Sequence, residues 1–261
     1  MEAKEAVAKT CVKSRIINQS AITYDVFVMV VAAPEIAAIA RPGQFVHIRL
    51  TDALEPLLRR PFSIADCDSS EGTLTLIYRV VGRGTALMSG LKSGHTLDCM
   101  GPLGNGFTLS GQRPLLVGGG MGLAPLLMLA KTFCSCSSTL LMGGRNAQEL
   151  FWPNIYRDVC NNIYITSDDG SLGHRGFTVD LLPGLLQEKK FDVVYACGPH
   201  VMLKSVAEVA QKYHIPCQVS LEEYMACGVG ACLSCTCAGT SGKRNKVCTD
   251  GPVFWTEEVV W

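Results

Sequence analysis

Five of the thirteen cysteines in this chain stand close together: Cys227, Cys232, Cys235, Cys237 and Cys248. The run Cys227-Gly-Val-Gly-Ala-Cys232-Leu-Ser-Cys235, followed by Cys248, has the C-x4-C-x2-C…C spacing of a plant-type [2Fe–2S] site. Thiolates that close in sequence converge on one cluster only if the loop between them wraps tightly. Gly228 and Gly230 permit the positive φ angles such a loop needs, and its backbone N–H groups are then free to tune the cluster through hydrogen bonds to sulfur. Zinc knuckles normally use paired C-x2-C units; one such unit and an offset cysteine argue against zinc. Cys237 would crowd Cys235 on the same strand-like step. The expected metal ligands are therefore Cys227, Cys232, Cys235 and Cys248, with Cys237 a bystander. Cys11, Cys67, Cys99, Cys160 and Cys217 are scattered singly among apolar neighbours and read as small buried hydrophobes.

A second chemistry is suggested by glycines. In Leu115-Leu-Val-Gly118-Gly-Gly120-Met-Gly122-Leu-Ala-Pro125 they lie between a buried strand and an apolar helix, a context that favours a phosphate or pyrophosphate on backbone amides at a helix N-terminus. The run does not match G-x-G-x-x-G, and the next strand ends in Gly143-Gly-Arg145 instead of an acidic residue; a purely structural glycine turn is the other reading. Arg145 either meets a 2′-phosphate or stands as a surface residue, so the sequence does not separate NAD from NADP. Two further turns, residues 169–176 and Ala196-Cys197-Gly198-Pro199, fall beyond the carboxyl ends of strands, where open parallel sheets bind ligands. In the first half of the chain, Arg60-Pro61-Phe62-Ser63, Ile77-Tyr78-Arg79 and Gly84-Thr85 form a third set. A flavin dinucleotide needs a cation for its pyrophosphate, a flat apolar surface for its ring and a donor near its reactive nitrogen. Arg60, Tyr78 and Ser63 could supply these; alternatively Arg59 and Arg60 are solvated charges at a strand entry.

Positioning three such sites calls for at least two packed units, and 261 residues suffice. From residue 21 to 100 short β-rich runs (23–31, 44–50, 73–80) alternate with Pro/Gly turns and no helix-length segment, the pattern of a small antiparallel barrel. From residue 113 strand-like runs (114–117, 139–142, 162–166, 192–196, 216–221) alternate with helix-like stretches including 123–132 and 202–213, the pattern of a parallel sheet covered on both faces. After Leu221 the sequence turns to glycines, cysteines and a polar loop at 239–246, read as a ligand-wrapping segment. The expected division is a flavin-binding barrel over 1–110, an α/β nucleotide domain over 111–221 and a cluster lobe over 222–261. Lys plus Arg equals Asp plus Glu at 23 each, so no basic field gathers nucleic acid. No stretch reaches the length of a membrane span, and residues 1–13 have no apolar core of the kind a secretion signal needs. The expected setting is the cytoplasm, where thiols stay reduced.

Taken in order, Arg60-Pro-Phe-Ser63, Gly118-Gly-Gly-Met-Gly122, Cys197-Gly-Pro199 and the cysteine tail resemble the ferredoxin reductase superfamily. The tail, Ser220-Leu-Glu222-Glu-Tyr-Met225-Ala-Cys-Gly-Val-Gly-Ala-Cys232 with Lys246-Val-Cys-Thr-Asp-Gly-Pro-Val-Phe254, is similar to that of electron-transfer subunits of NAD-linked, type B dihydroorotate dehydrogenases. Two departures are Tyr224, where an arginine is common, and a slightly short loop from Cys235 to Cys248. The resemblance implies FAD contacts from Arg60, Pro61, Phe62, Ser63, Ile77, Tyr78, Arg79, Gly84 and Thr85, with Gly118, Gly120 and Gly122 at NAD. It implies a relay in pyrimidine biosynthesis, from the FMN of a separate catalytic subunit through [2Fe–2S] and FAD to NAD+, in a heterotetramer. It also sets Ser63 near the reactive flavin nitrogen and Cys197 near the nicotinamide, although a small buried thiol explains Cys197 nearly as well. An NAD(P)H-dependent ferredoxin or sulfide reductase subunit of the same superfamily is the alternative.

Overall fold

The computed structural model describes residues 9–51, 53–133, 138–188 and 190–261. Most of the charged, alanine-rich start that bears on the absence of a secretion signal lies outside them. The first sheet is antiparallel and has seven strands: β1 (Thr10–Ala21), β2 (Val26–Ala32), β3 (Phe45–Arg49), β4 (Arg60–Ser63), β5 (Asp66–Asp68), β6 (Thr73–Arg79) and β7 (Thr96–Leu103). Their order is β4-β3-β7-β1-β2-β6-β5. The two ends of that order are neighbours in the chain. Ile64 N donates to Gln44 O at 3.0 Å and Ala65 N to Thr75 O at 2.9 Å, so one run, 60–68, pairs first with β3 and then with β6 and curls the sheet round. Inside lie Ile16, Met29, Val46, Ile48, Leu74, Leu76 and Tyr78. Two short helices, α1 (Pro34–Ala37) and α2 (Arg83–Ser89), add Ile36, Ala37 and Met88 to that interior.

The β-rich runs read from the sequence begin at residue 21, inside a unit expected over 1–110, whereas β1 already begins at Thr10. Its signal is present but weak: Val12, Ser14 and Ile16 alternate with charged residues over a strand period. The seven-residue α2 also goes unread, because it is too short to show a helical repeat.

The second sheet consists of β8 (Pro114–Gly119), β9 (Thr139–Gly144), β10 (Asn162–Ser167), β11 (His174–Arg175), β12 (Val193–Cys197), β13 (Cys217–Ser220) and β16 (Val253–Trp255). The order is β11-β10-β9-β8-β12-β13-β16, parallel except for the antiparallel last pair. Its central strands are buried on both faces, as a covered parallel sheet requires. Leu115 and Val117 face α5 (Thr178–Glu188) and α6 (His200–Lys212); Leu116 faces α3 (Leu123–Thr132) and Tyr156 of α4 (Pro153–Tyr156). Helix α3 also packs on β5 and β6 of the curled sheet. One apolar cluster therefore spans both units, joining Val26, Ala65 and Ile77 to Leu123, Leu126 and Leu127.

The tail is more ordered than a wrapping loop. It folds into a hairpin, β14 (Thr236–Ala238) with β15 (Arg244–Lys246), and its last strand, β16, joins the parallel sheet beside β13. Among the described residues no helix is long and apolar enough to cross a membrane. Leu116 is fully buried at the centre of this arrangement. Leu116→Ala should lower the unfolding free energy by about 2–5 kcal/mol through lost burial and a residual cavity, read as a lower urea midpoint.

Candidate functional site

Four cysteines of the tail lie in and beside one loop, Cys232 exposed, Cys227 half-buried, and Cys235 and Cys248 buried. Gly228 and Gly230 adopt φ of 70° and 82°, and Leu233 one of 61°, which folds residues 227–235 back on themselves. The turn aims amides at sulfur: Val229 N and Cys232 N each lie 3.4 Å from Cys227 Sγ, and Cys248 N lies 3.4 Å from Cys235 Sγ. Cys248 arrives because its own turn packs against the loop; a Cβ on Gly230 would stand 2.9 Å from Thr249. These contacts set the cysteines in two neighbouring couples, Cys227 with Cys232 and Cys235 with Cys248. Among the described residues no three His, Cys, Asp or Glu side chains close on one point as a single ion requires. Two pairs are what a two-iron cluster with four thiolates asks for, so the donor set fits [2Fe–2S] better than zinc. Hydrogen bonds from Ser234, and after it from Cys227, hold exposed Cys232 down to about 6, while burial pushes Cys248 up to about 12. Cys237, on β14, packs instead against the apolar cluster behind the loop.

The loop rests on the curled sheet. His47 of β3 is buried, and a Cβ on Gly228 would fall 2.5 Å from its Nδ1. Burial first, then the charge of Arg59, lowers the imidazole to about 4, so this seat is a neutral ring. No pattern in the sequence singles out His47; only the packing of the two units reveals it.

The paired arginines separate by role. Arg59 ties strands together, with Nη2 2.7 Å from Asp98 Oδ1 and Nη1 donating to Asp98 O at 2.8 Å. Arg60 is turned toward the start of α2, where a Cβ on Gly84 would lie 3.3 Å from its Nε. Thr85 Oγ1 shapes that start by accepting from Val81 N at 2.9 Å and Gly82 N at 3.1 Å. A guanidinium beside the free amides of a first helical turn fits a diphosphate. Pro61 is exposed, Ser63 half-buried, and Phe62 buried. Tyr78 corrects the expectation that its ring offers a flat surface to a ligand. Strand alternation sends residues 74, 76 and 78 into the interior, where Tyr78 stacks on Phe27 and meets Phe62 edge-on, and its hydroxyl donates to Gln19 Oε1 at 3.0 Å. Ile77 and Arg79 point the other way: Ile77 into the core shared between the units, Arg79 into a cleft.

That cleft, of about 580 Å³, lies beyond the carboxyl ends of β8, β9, β10 and β12. Gly120 and Gly122 line it, and Gly118 does not: a Cβ there would meet Leu123 at 2.3 Å, so Gly118 serves strand–helix packing. A Cβ on Gly122 would come within 2.4 Å of the Cys197 carbonyl oxygen, which brings the two turns into backbone contact. Gly198 and Pro199 line the wall while the Cys197 thiol is buried behind them, pushed up chiefly by burial and next by the charge of Glu222. At the other end Arg145, Glu149 and Asp168 gather with Arg79. Glu149 carries no sequence signal, since it sits outside the glycine motifs, whereas Glu222 belongs to the tail run already quoted.

Gly228→Ala should strand a side chain at positive φ and against His47. The expected result is loss of most iron with flavin content kept, read by iron analysis and visible absorbance of the purified protein.

Comparison with known proteins agrees with this geometry. Residues 13–107 match a model described as an oxidoreductase FAD-binding domain, and residues 222–260 one described as the iron-sulfur cluster binding domain of dihydroorotate dehydrogenase B. The electron transfer subunit of dihydroorotate dehydrogenase B (NAD(+)) of Desulforamulus reducens is 40% identical over 238 residues, covering 88% of this chain and 90% of that protein. That of Geobacillus thermodenitrificans is 40% identical over 253 residues, covering 94% and 96%. Among solved structures, an NADH-dependent reduced ferredoxin-NADP oxidoreductase superposes with a TM-score of 0.85 at 35% identity, over 95% of this chain and 90% of that one. The ferredoxin reductase of carbazole 1,9a-dioxygenase, with a TM-score of 0.68 and 23% identity over 81% of this chain and 68% of that one, shares the fold. The curled flavin-binding sheet, the parallel sheet and the cysteine lobe thus occur together, and the chain belongs to the family of electron transfer subunits of NAD-linked dihydroorotate dehydrogenase B.

Proposed function

We propose that this chain carries electrons from the FMN of a separate dihydroorotate-oxidising subunit to NAD+, within a cytoplasmic heterotetramer of the pyrimidine pathway. The observation that carries the reading is the two-pair arrangement of Cys227, Cys232, Cys235 and Cys248 in a chain that also holds a flavin-type cradle and a nucleotide cleft. When bound, the cluster passes single electrons and FAD converts them to the two-electron hydride chemistry of NAD. The remaining roles belong to the protein. The four thiolates hold iron while the amides of Val229, Cys232 and Cys248 steady the negative sulfurs. Arg60 and the first turn of α2 hold the FAD diphosphate, with Pro61, Phe62, Ser63, Ile77, Tyr78, Arg79, Gly84 and Thr85 shaping the strand surface around it. Tyr78 acts there through its backbone, since its ring is committed to the core. Gly120 and Gly122 let the NAD pyrophosphate approach the backbone, and Gly118 sets the helix behind them. Ser63 lies on the strand where a donor to the flavin would stand. Cys197 is a neutral packed thiol whose turn, more than its sulfur, borders the nicotinamide end. The three units are taken as 1–110, 111–221 and 222–261.

The likeness to the NADH-dependent ferredoxin-linked enzyme supports a second reading, a ferredoxin or sulfide reductase subunit. Purification of the tagged chain from its own cells should yield dihydroorotate-dependent reduction of NAD+. Its absence from a preparation retaining FAD, iron and a co-purifying subunit, together with NADH-dependent ferredoxin reduction, would favour the second reading. Arg60→Ala should lower the FAD-to-protein ratio at least severalfold while leaving iron in place, measured on the same preparation.

A further inference from the structure

Arg145 follows β9 at the carboxyl end of the parallel sheet, where an arginine could meet a 2′-phosphate, but its guanidinium is already engaged. Glu149, four residues on, grips it: Arg145 Nε donates to Glu149 Oε1 at 2.9 Å, Nη2 makes a shorter contact with the same oxygen, and the Arg145 amide reaches Oε2 at 3.3 Å. Arg79 Nη1 lies 3.5 Å from Oε1 as well. Arg145 is 74% exposed and Glu149 only 16%, so the carboxylate, not the guanidinium, is the member fixed by packing. The Arg145 guanidinium beside Glu149 holds its carboxyl below the usual carboxylate range. Register places the site: β9 and β10 pair Gly144 with Ser167, so Arg145 and Asp168 emerge side by side at the carboxyl ends of adjacent strands. In open α/β sheets that end of the cleft receives the adenosine ribose, where a carboxylate meets a 2′-hydroxyl and an arginine meets a 2′-phosphate.

We propose that Glu149 makes the cleft selective for NAD over NADP, by neutralising Arg145 and presenting a carboxylate where a 2′-phosphate would have to sit. Glu149 Oε2 carries a single long backbone contact and keeps acceptor capacity for a ribose hydroxyl. A 2′-phosphate brings close to two negative charges at neutral pH, which meet Glu149 and Asp168 while their nearest cation is already paired. The selectivity is thus a property of one ion pair rather than of a missing arginine, and this inference rests on the nucleotide reading of the cleft.

The test uses the FAD- and iron-loaded complex titrated calorimetrically with 5′-AMP and with adenosine 2′,5′-bisphosphate, alongside rapid-mixing reduction of its flavin by NADH and NADPH. Wild type should prefer 5′-AMP and NADH. In Glu149→Gln, which keeps shape and removes charge, the preference should shift toward the phosphorylated probe and NADPH by at least tenfold. Adding Arg145→Ala to that variant should abolish the shift. If Glu149→Gln loses its flavin, Glu149→Ser carries the same comparison. An unchanged ratio beside normal wild-type binding, or a shift that survives Arg145→Ala, would overturn the inference alone. A wild type that binds neither probe and is not reduced by NADH would overturn the cleft assignment and the inference together.

Discussion

The tail from residue 222 onward has no hydrophobic core of its own, and the rest of the architecture follows from that. About forty residues cannot bury enough apolar surface to fold independently without other support. Cys235, Val247, Cys248, Phe254 and Val259 therefore join a cluster that includes Phe45 and Leu103 of the curled sheet and Leu115 and Val117 of the parallel one. Asn105, just past β7, reinforces the junction: its side chain donates to the carbonyls of Thr249 and Asp250 at 3.0 and 2.8 Å, and its amide to Gly251 O at 2.6 Å. A cluster held this way is fixed relative to both sheets, which a relay between separate cofactors requires. Two of its thiols, Cys235 and Cys248, are core residues at the same time.

The nucleotide cleft depends on a different constraint, the approach of two backbones. Gly122 against the Cys197 carbonyl, and Gly119 against Met202 and Pro199, leave no room for side chains of their own, so backbone is exposed where the two turns meet. Backbone amides in such a turn can meet a phosphate without a flexible side chain to order. Charge is confined to the two ends, with Glu222 at one and the Arg79–Glu149–Arg145 group at the other. A floor without charge between charged ends suits the long, two-ended shape of the dinucleotide proposed for it.

Much of this was legible in the linear pattern. The tight cysteine loop was readable because it is a local event: Gly228 and Gly230 are the residues that reach positive φ in the structure. The strands of the parallel sheet were readable because burial on both faces leaves continuous apolar runs. The antiparallel sheet was less so, since β1 is polar on its outer face and α2 is too short for periodicity to show. Tyr78 was misjudged for a related reason. Aromatic beside arginine suggests a ligand platform, but strand parity assigns the two residues to opposite faces, and which face is interior depends on how the sheet curls.

What the sequence determined by itself is local: loop shape at the cysteines, the turn at Gly118–Gly122, the succession of strand and helix, and the absence of a net field. Tertiary structure decided whatever depends on partners far apart in the chain. It chose Arg60 over Arg59 to face α2, set His47 beneath Gly228, drew β16 beside β13, and brought Glu149 and Arg79 together with Arg145 at one end of the cleft. Side-chain alternation, sheet curvature and shared burial act between segments, and no spacing within a single segment encodes them.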